Sequence, residues 1–277
     1  LAGVRMRIPL AILEPNSVLG LANRLLAPFA KRAYVAWPET ARVFRGTKAH
    51  LYGVPLRPSF APRPYAAGEG PRRVLVLGGS QGATALNERL PAAIGCVRQK
   101  TDRDVFVVHQ TGADREPAVR AAYETAGVKT ATVVPFLDDV AEQMAAADLI
   151  VARAGAVTVA EIAAIGRAAL LVPFPHAADD HQAKNATSLA ELGGAVCVRQ
   201  EAADEERLAV ELAALLSDDA RRTRMAEAAR EHGRPHAARD VAKDILALAG
   251  VPLRKEKKTT NGANGASVRI RASKEVS

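Results

Sequence analysis

The sequence predicts an α/β protein built on a mostly parallel sheet with helices on both faces. Three observations carry this expectation. Six short apolar runs lie between residues 74 and 198. Helical stretches separate the successive runs. Glycine or polar turns follow directly on several strand ends.

Taken in order, residues 8–13 (IPLAIL) read as a buried strand closed by Glu14-Pro15-Asn16-Ser17. A helix is expected over 18–31, then strands over 33–37 and 50–54. Pro55, Pro58, Pro62 and Pro64 crowd the segment up to Gly70 and suggest a connection between domains. Beyond Arg73 the strands are expected at 74–77, 105–108, 132–134, 149–152, 169–172 and 195–198. Helices are expected at 83–97, 116–126, 140–146, 157–165 and 180–192. Three more fit 204–216, 218–231 and 236–249, the last set off by Pro235. The implied organisation is a partial first domain over 1–66, a linker at 67–72, a ligand-binding domain over 73–233, a helix over 234–250 and a tail.

The 277 residues are 48% hydrophobic and 25% charged, ordinary for a globular protein. The formal charge of +8 is concentrated in residues 251–277, which hold seven basic and two acidic side chains. That tail has few large apolar residues and is expected to be disordered. With few aromatics and no nucleic-acid motif, no nucleic-acid partner is expected. No apolar run approaches a membrane span, and the start is unlike a secretory signal. Cys96 and Cys197 match no metal or redox spacing and read as two small buried hydrophobes.

Open parallel sheets bind ligands at the carboxyl ends of their strands, so the turns there are the candidates for chemistry. Gly78-Gly79-Ser80-Gln81-Gly82 follows the run Val74–Leu77. Its glycines suit a close approach of backbone to phosphate, with Ser80 as an added donor. It lacks the Gly-Lys-Ser/Thr of a Walker loop, and its glycine spacing is not that of a dinucleotide fingerprint. Where a ribose-binding acid would stand, the sequence has His109. A ligand-free tight turn fits equally. A second glycine turn, Arg153-Ala154-Gly155, opens a helix with Ala156, Val157 and Thr158. Its dipole suits a diphosphate, and Glu161 suits ribose hydroxyls. Thr158-x-x-Glu161 is also the spacing of a capping box, which needs no ligand. In the polar segment Pro173 to Ala186, Gln182 and Asp180 suit sugar hydroxyls, while Asp179 or Asp180 also suits a helix cap. The spacing of His176, Asp179, Asp180 and His181 matches no known metal-ligand pattern.

Together these segments resemble the MurG family. The matching stretches are EPNSVLGLANR, YGVPLR, VLVLGGSQGATALN, HQTG, PFLDDV, ADLIVARAGAVTVAEIAAIG and LLVPFPHAADDHQAKNA. The resemblance implies a B-type glycosyltransferase architecture of two Rossmann-like domains, the first incomplete, and covers the chain from about Ile12 to Ala249. It implies transfer of N-acetylglucosamine from UDP-N-acetylglucosamine to undecaprenyl-diphospho-muramoylpentapeptide, with inversion and without metal or other cofactor. The implied setting is peptidoglycan synthesis, hence cell shape and division. The enzyme would be peripheral, at the cytoplasmic face of the inner membrane, and the 18–31 helix is a candidate contact. By motif, Ser80 is implied to meet the diphosphate and Leu137 to present its backbone to uracil. Ala156, Val157, Thr158, Val159, Ala160 and Glu161 are implied to form the helix start beneath the diphosphate, with Glu161 on the ribose. Gln182 is implied to hold the sugar hydroxyls, and Asn16 and Arg57 to reach the donor from the opposite side. The family's glycine-rich loop with its histidine has no counterpart upstream of Ile12, so no general base is assigned. A UDP-sugar-binding piece without transfer, a UDP-sugar 2-epimerase and a dinucleotide oxidoreductase are the alternatives.

Overall fold

The computed structural model describes residues 2–44, 48–79, 82–98 and 104–252. Ser80 and the basic tail from residue 253 onward lie outside the described residues. Two parallel sheets organise the chain. After a short helix α1 (Ala2–Arg5), the first sheet runs β1 (Leu10–Glu14), β2 (Ala30–Val35), β3 (Ala49–His50), in that spatial order. Helices α2 (Leu21–Leu26) and α3 (Pro38–Val43) connect its strands.

The helix expected over 18–31 is therefore shortened to six residues and a 3-10 turn, Ala27–Phe29. Pro28 cannot donate to the preceding turn, and its ring would meet the carbonyl four residues back. The chain turns there, and Lys31 already lies in β2. No residue of α2 is buried. The strand expected at 50–54 shrinks to Ala49–His50.

The second sheet contains β4 (Arg72–Leu77), β5 (Val105–Gln110), β6 (Ala131–Val134), β7 (Leu149–Ala152), β8 (Ala169–Leu171) and β9 (Ala195–Cys197). All pairs are parallel, in the order β6-β5-β4-β7-β8-β9. The expected strands thus all form, with ends displaced by at most two residues. Chain order reverses between β4 and β7, the position where such sheets open a crevice at their carboxyl ends.

Alternating side chains feed two cores. Val74, Val76, Leu149 and Val151 meet Leu90 and Ile94 of α4 (Thr84–Arg98) and Leu212 and Leu215 of α9 (Glu205–Ser217). Leu75, Leu77, Ile150 and Ala152 meet Met144 of α6 (Val140–Ala146), Ile162 of α7 (Ala156–Ile165) and Leu189 of α8 (His181–Glu191). This is the period-two alternation of a sheet covered on both faces. The remaining helices are α5 (Glu116–Thr125), α10 (Asp219–His232) and α11 (Ala237–Leu248). Asp204 and Asp218, expected as first helical residues, stand one position earlier as caps. Each accepts a backbone N–H three residues on, from Arg207 and Arg221, both at 2.7 Å.

The proline-rich connection lies along the second region. Phe60 is buried in its core, Arg63 N–H donates to Ile165 O (3.1 Å), and Tyr65 O–H donates to Asp148 (2.9 Å). Helix α11 returns to the first sheet, where Asp244 accepts from Arg32 Nε (3.0 Å) and Tyr34 O–H (2.8 Å). The cysteines depart from expectation: Cys96 is exposed and Cys197 half-buried. Cys96 lies on α4 away from the Leu86, Leu90 and Ile94 face that packs on the sheet. Burial pushes the Cys197 thiol up.

Candidate functional site

At the switch point, the turn after β4 is forced to be glycine. A Cβ on Gly78 would stand 2.8 Å from Gln110 O, and one on Gly82 (φ +72°) 2.4 Å from Thr111 O. The Gln110 side chain then holds the loop from below. Its Oε1 accepts from Gly79 N–H (2.9 Å), and its Nε2 donates to Gly79 O (2.9 Å) and Pro135 O (3.0 Å). No motif in the sequence by itself gives Gln110 a role. Its signal was the HQTG run at the end of an apolar strand.

Across the crevice, Gly155 is the N-cap of α7 and makes no side-chain cap hydrogen bond. The capping box is therefore absent. Thr158 stands three positions inside the helix, and a box requires its hydroxyl residue at the cap itself. The first helical backbone bond is donated by Val159 N–H to Gly155 O, so the N–H groups of Ala156, Val157 and Thr158 have no acceptor within the helix. The six residues 156–161 divide between surfaces. Thr158 and Glu161 line a cleft of about 250 Å³ with Gly79, Gln110, Phe136 and Leu137. Val159 is buried in the core, Val157 is exposed, and Ala156 and Ala160 line the seam toward the first sheet.

Glu161 is the electrostatic centre of that cleft. Desolvation raises its carboxyl to about 7, partly offset by the positive charge of Arg57. Arg57 itself is exposed and lies over the Phe60 ring at 5.3 Å. A neighbouring cleft of about 500 Å³ is lined by Gly82, Glu88, Arg89, His176 and Gln182. The Gln182 Oε1 accepts from Phe174 N–H (3.0 Å), which fixes the amide in place. Arg153 borders both clefts. It donates to Val172 O (3.0 Å), Pro173 O (3.2 Å) and Gln200 Oε1 (2.6 Å), and lies over Phe174 at 5.5 Å. Burial and then the charge of Arg89 hold its pKa below the usual guanidinium value. A half-buried cation between two helix starts is a place for anionic charge.

On the first-sheet side, Asn16 faces the second region. Its Nδ2 and N–H both donate to Glu14 Oε1 (3.1 Å each), and its Oδ1 accepts from Asn185 (3.1 Å). Asp180 occupies the cap position of α8 but caps nothing. Its left-handed backbone (φ +54°) turns the carboxylate to Arg199 at 2.9 Å. Asp179 likewise lies at φ +51°. His109, at the position where a ribose-binding acid would stand, lines neither cleft. It is wholly buried within β5, between Asn87 Oδ1 and Tyr123 O–H at 3.0 Å each. Asn87 Nδ2 donates to Thr111 O (3.0 Å), so its Oδ1 is the acceptor and His109 carries its proton on Nε2. Burial pushes this imidazole down to about 3. Among the described residues, no group of three or more His, Cys, Asp or Glu is placed to hold a metal.

The Glycosyltransferase family 28 C-terminal domain matches residues 73–245. The UDP-N-acetylglucosamine–N-acetylmuramyl-(pentapeptide) pyrophosphoryl-undecaprenol N-acetylglucosamine transferase of Sorangium cellulosum is 56% identical over 253 residues. That similarity covers 91% of this chain and 62% of the relative, so the chain spans under two thirds of the relative's length. The crystal structure of Acinetobacter baumannii MurG superposes with a TM-score of 0.78 at 36% identity, covering 89% of this chain and 70% of that one. A UDP-N-acetylglucosamine 2-epimerase structure from Listeria monocytogenes, at 16% identity and TM-score 0.64, covers 90% of this chain and 70% of that one and shares the fold alone.

Proposed function

The chain belongs to the MurG family within glycosyltransferase family 28, and from that premise we propose that it binds UDP-N-acetylglucosamine between its two sheets and serves N-acetylglucosamine transfer to a lipid-linked muramoylpentapeptide. One observation carries the reading: the glycine loop after β4 and the open N-terminus of α7 converge on the switch point, with Arg153 between them and Glu161 beyond. In direct displacement, the acceptor hydroxyl attacks the anomeric carbon with inversion, its proton passes to a general base not assigned among the described residues, and the UDP oxygen takes the bonding pair. Charge grows on the diphosphate. Backbone N–H groups already aimed at that point stabilise it without reorganising, as does the Arg153 cation. No metal enters this scheme. Glu161, when ionised, accepts from ribose hydroxyls, and Leu137 presents its backbone to the base.

The proposed setting is the cytoplasmic face of the cell membrane, as a peripheral protein in peptidoglycan synthesis. What supports membrane contact is the surface of α2 and the 3-10 turn after it, where Leu21, Leu25 and Phe29 are exposed beside Arg24. No described helix is long and apolar enough to cross a membrane. Co-sedimentation with anionic vesicles tests this, and absence of binding removes the contact.

Calorimetric titration with UDP, UMP and UDP-N-acetylglucosamine tests the donor site, beside a transfer assay on the lipid acceptor. Binding with transfer supports the full reading. Binding without transfer supports a donor-binding unit whose catalytic base lies elsewhere. No binding of any nucleotide sinks both.

A further inference from the structure

We infer that Asn185 is a positioning residue, a latch that sets how far the first sheet stands from the N-terminus of α7 and thereby registers the sugar end of the donor. The inference rests on the donor-binding reading above. It begins from a side chain that packing does not explain. Asn185 lies on the face of α8 that buries Ala183, Ala186 and Leu189, and it is itself wholly buried. An aliphatic residue is the ordinary occupant of such a position.

Its carboxamide joins three separate segments. The Oδ1 accepts from Ser17 N–H at 2.9 Å, in the turn after β1. The Nδ2 donates to Asn16 Oδ1 at 3.1 Å in the same turn, and to Ala154 O at 3.2 Å. Ala154 immediately precedes Gly155, the cap of α7. The same side chain therefore grips the first sheet and the residue beside the proposed diphosphate site. Three residues earlier on α8, Gln182 faces the larger cleft.

The turn that the latch grips is rigid on its own side. Glu14 Oε2 accepts from Gly20 N–H (2.9 Å) and Asn23 Nδ2 (3.0 Å), while Glu14 Oε1 holds Asn16. Thr40 O–H donates to Asn16 O at 2.9 Å. With both rims fixed, the amide between them decides their separation. A lost amide leaves Ser17 N–H and Ala154 O unsatisfied, which favours opening and entry of water.

The experiment compares the whole chain with Asn185→Ala and Asn185→Asp by amide exchange at Ser17 and by titration with UMP and UDP-N-acetylglucosamine. In Asn185→Ala, Ser17 exchange accelerates and the nucleotide-sugar weakens on the order of tenfold, while UMP, held by the second region, is unchanged. Asn185→Asp keeps the volume and the acceptor for Ser17 N–H. Its ionised form faces two carbonyl oxygens, so it behaves like the alanine variant at pH about 8, and its sugar-nucleotide affinity approaches that of the unaltered chain at the same pH as pH falls and its O–H returns. If Asn185→Ala fails to fold, the aspartate variant alone carries the test. Unchanged Ser17 exchange, equal weakening of UMP and sugar-nucleotide, or an aspartate variant that stays as far below the unaltered chain at low pH as at pH about 8 overturns the latch. If the unaltered chain binds neither nucleotide, the donor-binding reading fails, and Ser17 exchange still judges the latch.

Discussion

The two sheets are built from similar parallel strands, yet they bury very different amounts of apolar surface. The second, six-stranded sheet is sealed on both faces by two extended clusters. The first has three strands and one small cluster around Ile12, Leu19, Val35 and Phe44. Among the described residues, β1 pairs only with β2, and Met6, Ile8, Leu13, Leu21 and Leu25 are exposed. The difference teaches that the second region carries its own stability. The first takes much of its order from contacts with the second: the Asn16–Asn185 pair, the Asp244 bonds and the stack of Trp37 on His232 at 4.3 Å.

Core truncation breaks this comparison most sharply. Ile94→Ala, in the larger cluster, is expected to cost about 2–5 kcal/mol of unfolding free energy. Leu26→Ala, partly buried in the first region, is expected to cost under about 1 kcal/mol. Urea titration followed by circular dichroism measures both, and equal costs would end the asymmetry.

The cleft gives the next largest effect. Glu161→Gln is expected to weaken UDP about tenfold at pH 8, since it replaces an ionised acceptor with an amide. Binding by the unaltered chain should weaken as pH falls through about 7, where Glu161 takes up a proton. Stability runs the other way. The folded carboxyl lies above its ordinary 4.5, so its contribution is complete below 4.5 and is lost as pH rises through about 7. The glutamine variant should therefore melt higher at pH 8, by on the order of 1–2 kcal/mol. A variant that binds UDP normally at every pH would remove Glu161 from the site.

Acid separates the junction from the sheet interior. Desolvation holds His232 down to about 4 and His109 to about 3. Both lie below the ordinary 6.5, so the stability they contribute is present above 6.5 and is lost as pH falls toward those values. Trp37, the single tryptophan, stacks on His232 and reports the junction. Its emission is expected to stay constant from pH about 7 to 5 and to shift through about 4, with the shift abolished in His232→Phe. The smallest effect is a labelling contrast. Exposed Cys96 should react with a thiol reagent several-fold faster than half-buried Cys197, whose thiolate burial disfavours.

Much of the second region is legible in the sequence. Its strands are short apolar runs, and Gly78, Gly82 and Gly155 punctuate them where backbone must approach backbone. The first region was less legible. Pro28 ended a helix whose apolar spacing continued past it, and an apolar pattern does not say how far a strand finds partners. Within the site, Glu161 and Leu137 line the smaller cleft and Gln182 the larger. Thr158 does not cap, because helix starts are set by the chain's exit from β7 as much as by side-chain spacing.

What the sequence determined by itself was therefore local: hydrophobic period, turn chemistry, and the glycines that permit close approach. These depend on neighbours within a few residues, so they survive without a fold. What only the tertiary structure decided was the partnering of polar groups far apart in the chain. Gln110 beneath the glycine loop, Arg153 between the clefts, His109 sealed inside β5 and Asn185 across the two sheets are cases of this. A buried amide or imidazole must satisfy its hydrogen bonds wherever the fold brings partners, and the partners of Asn185 stand 31 to 169 positions away.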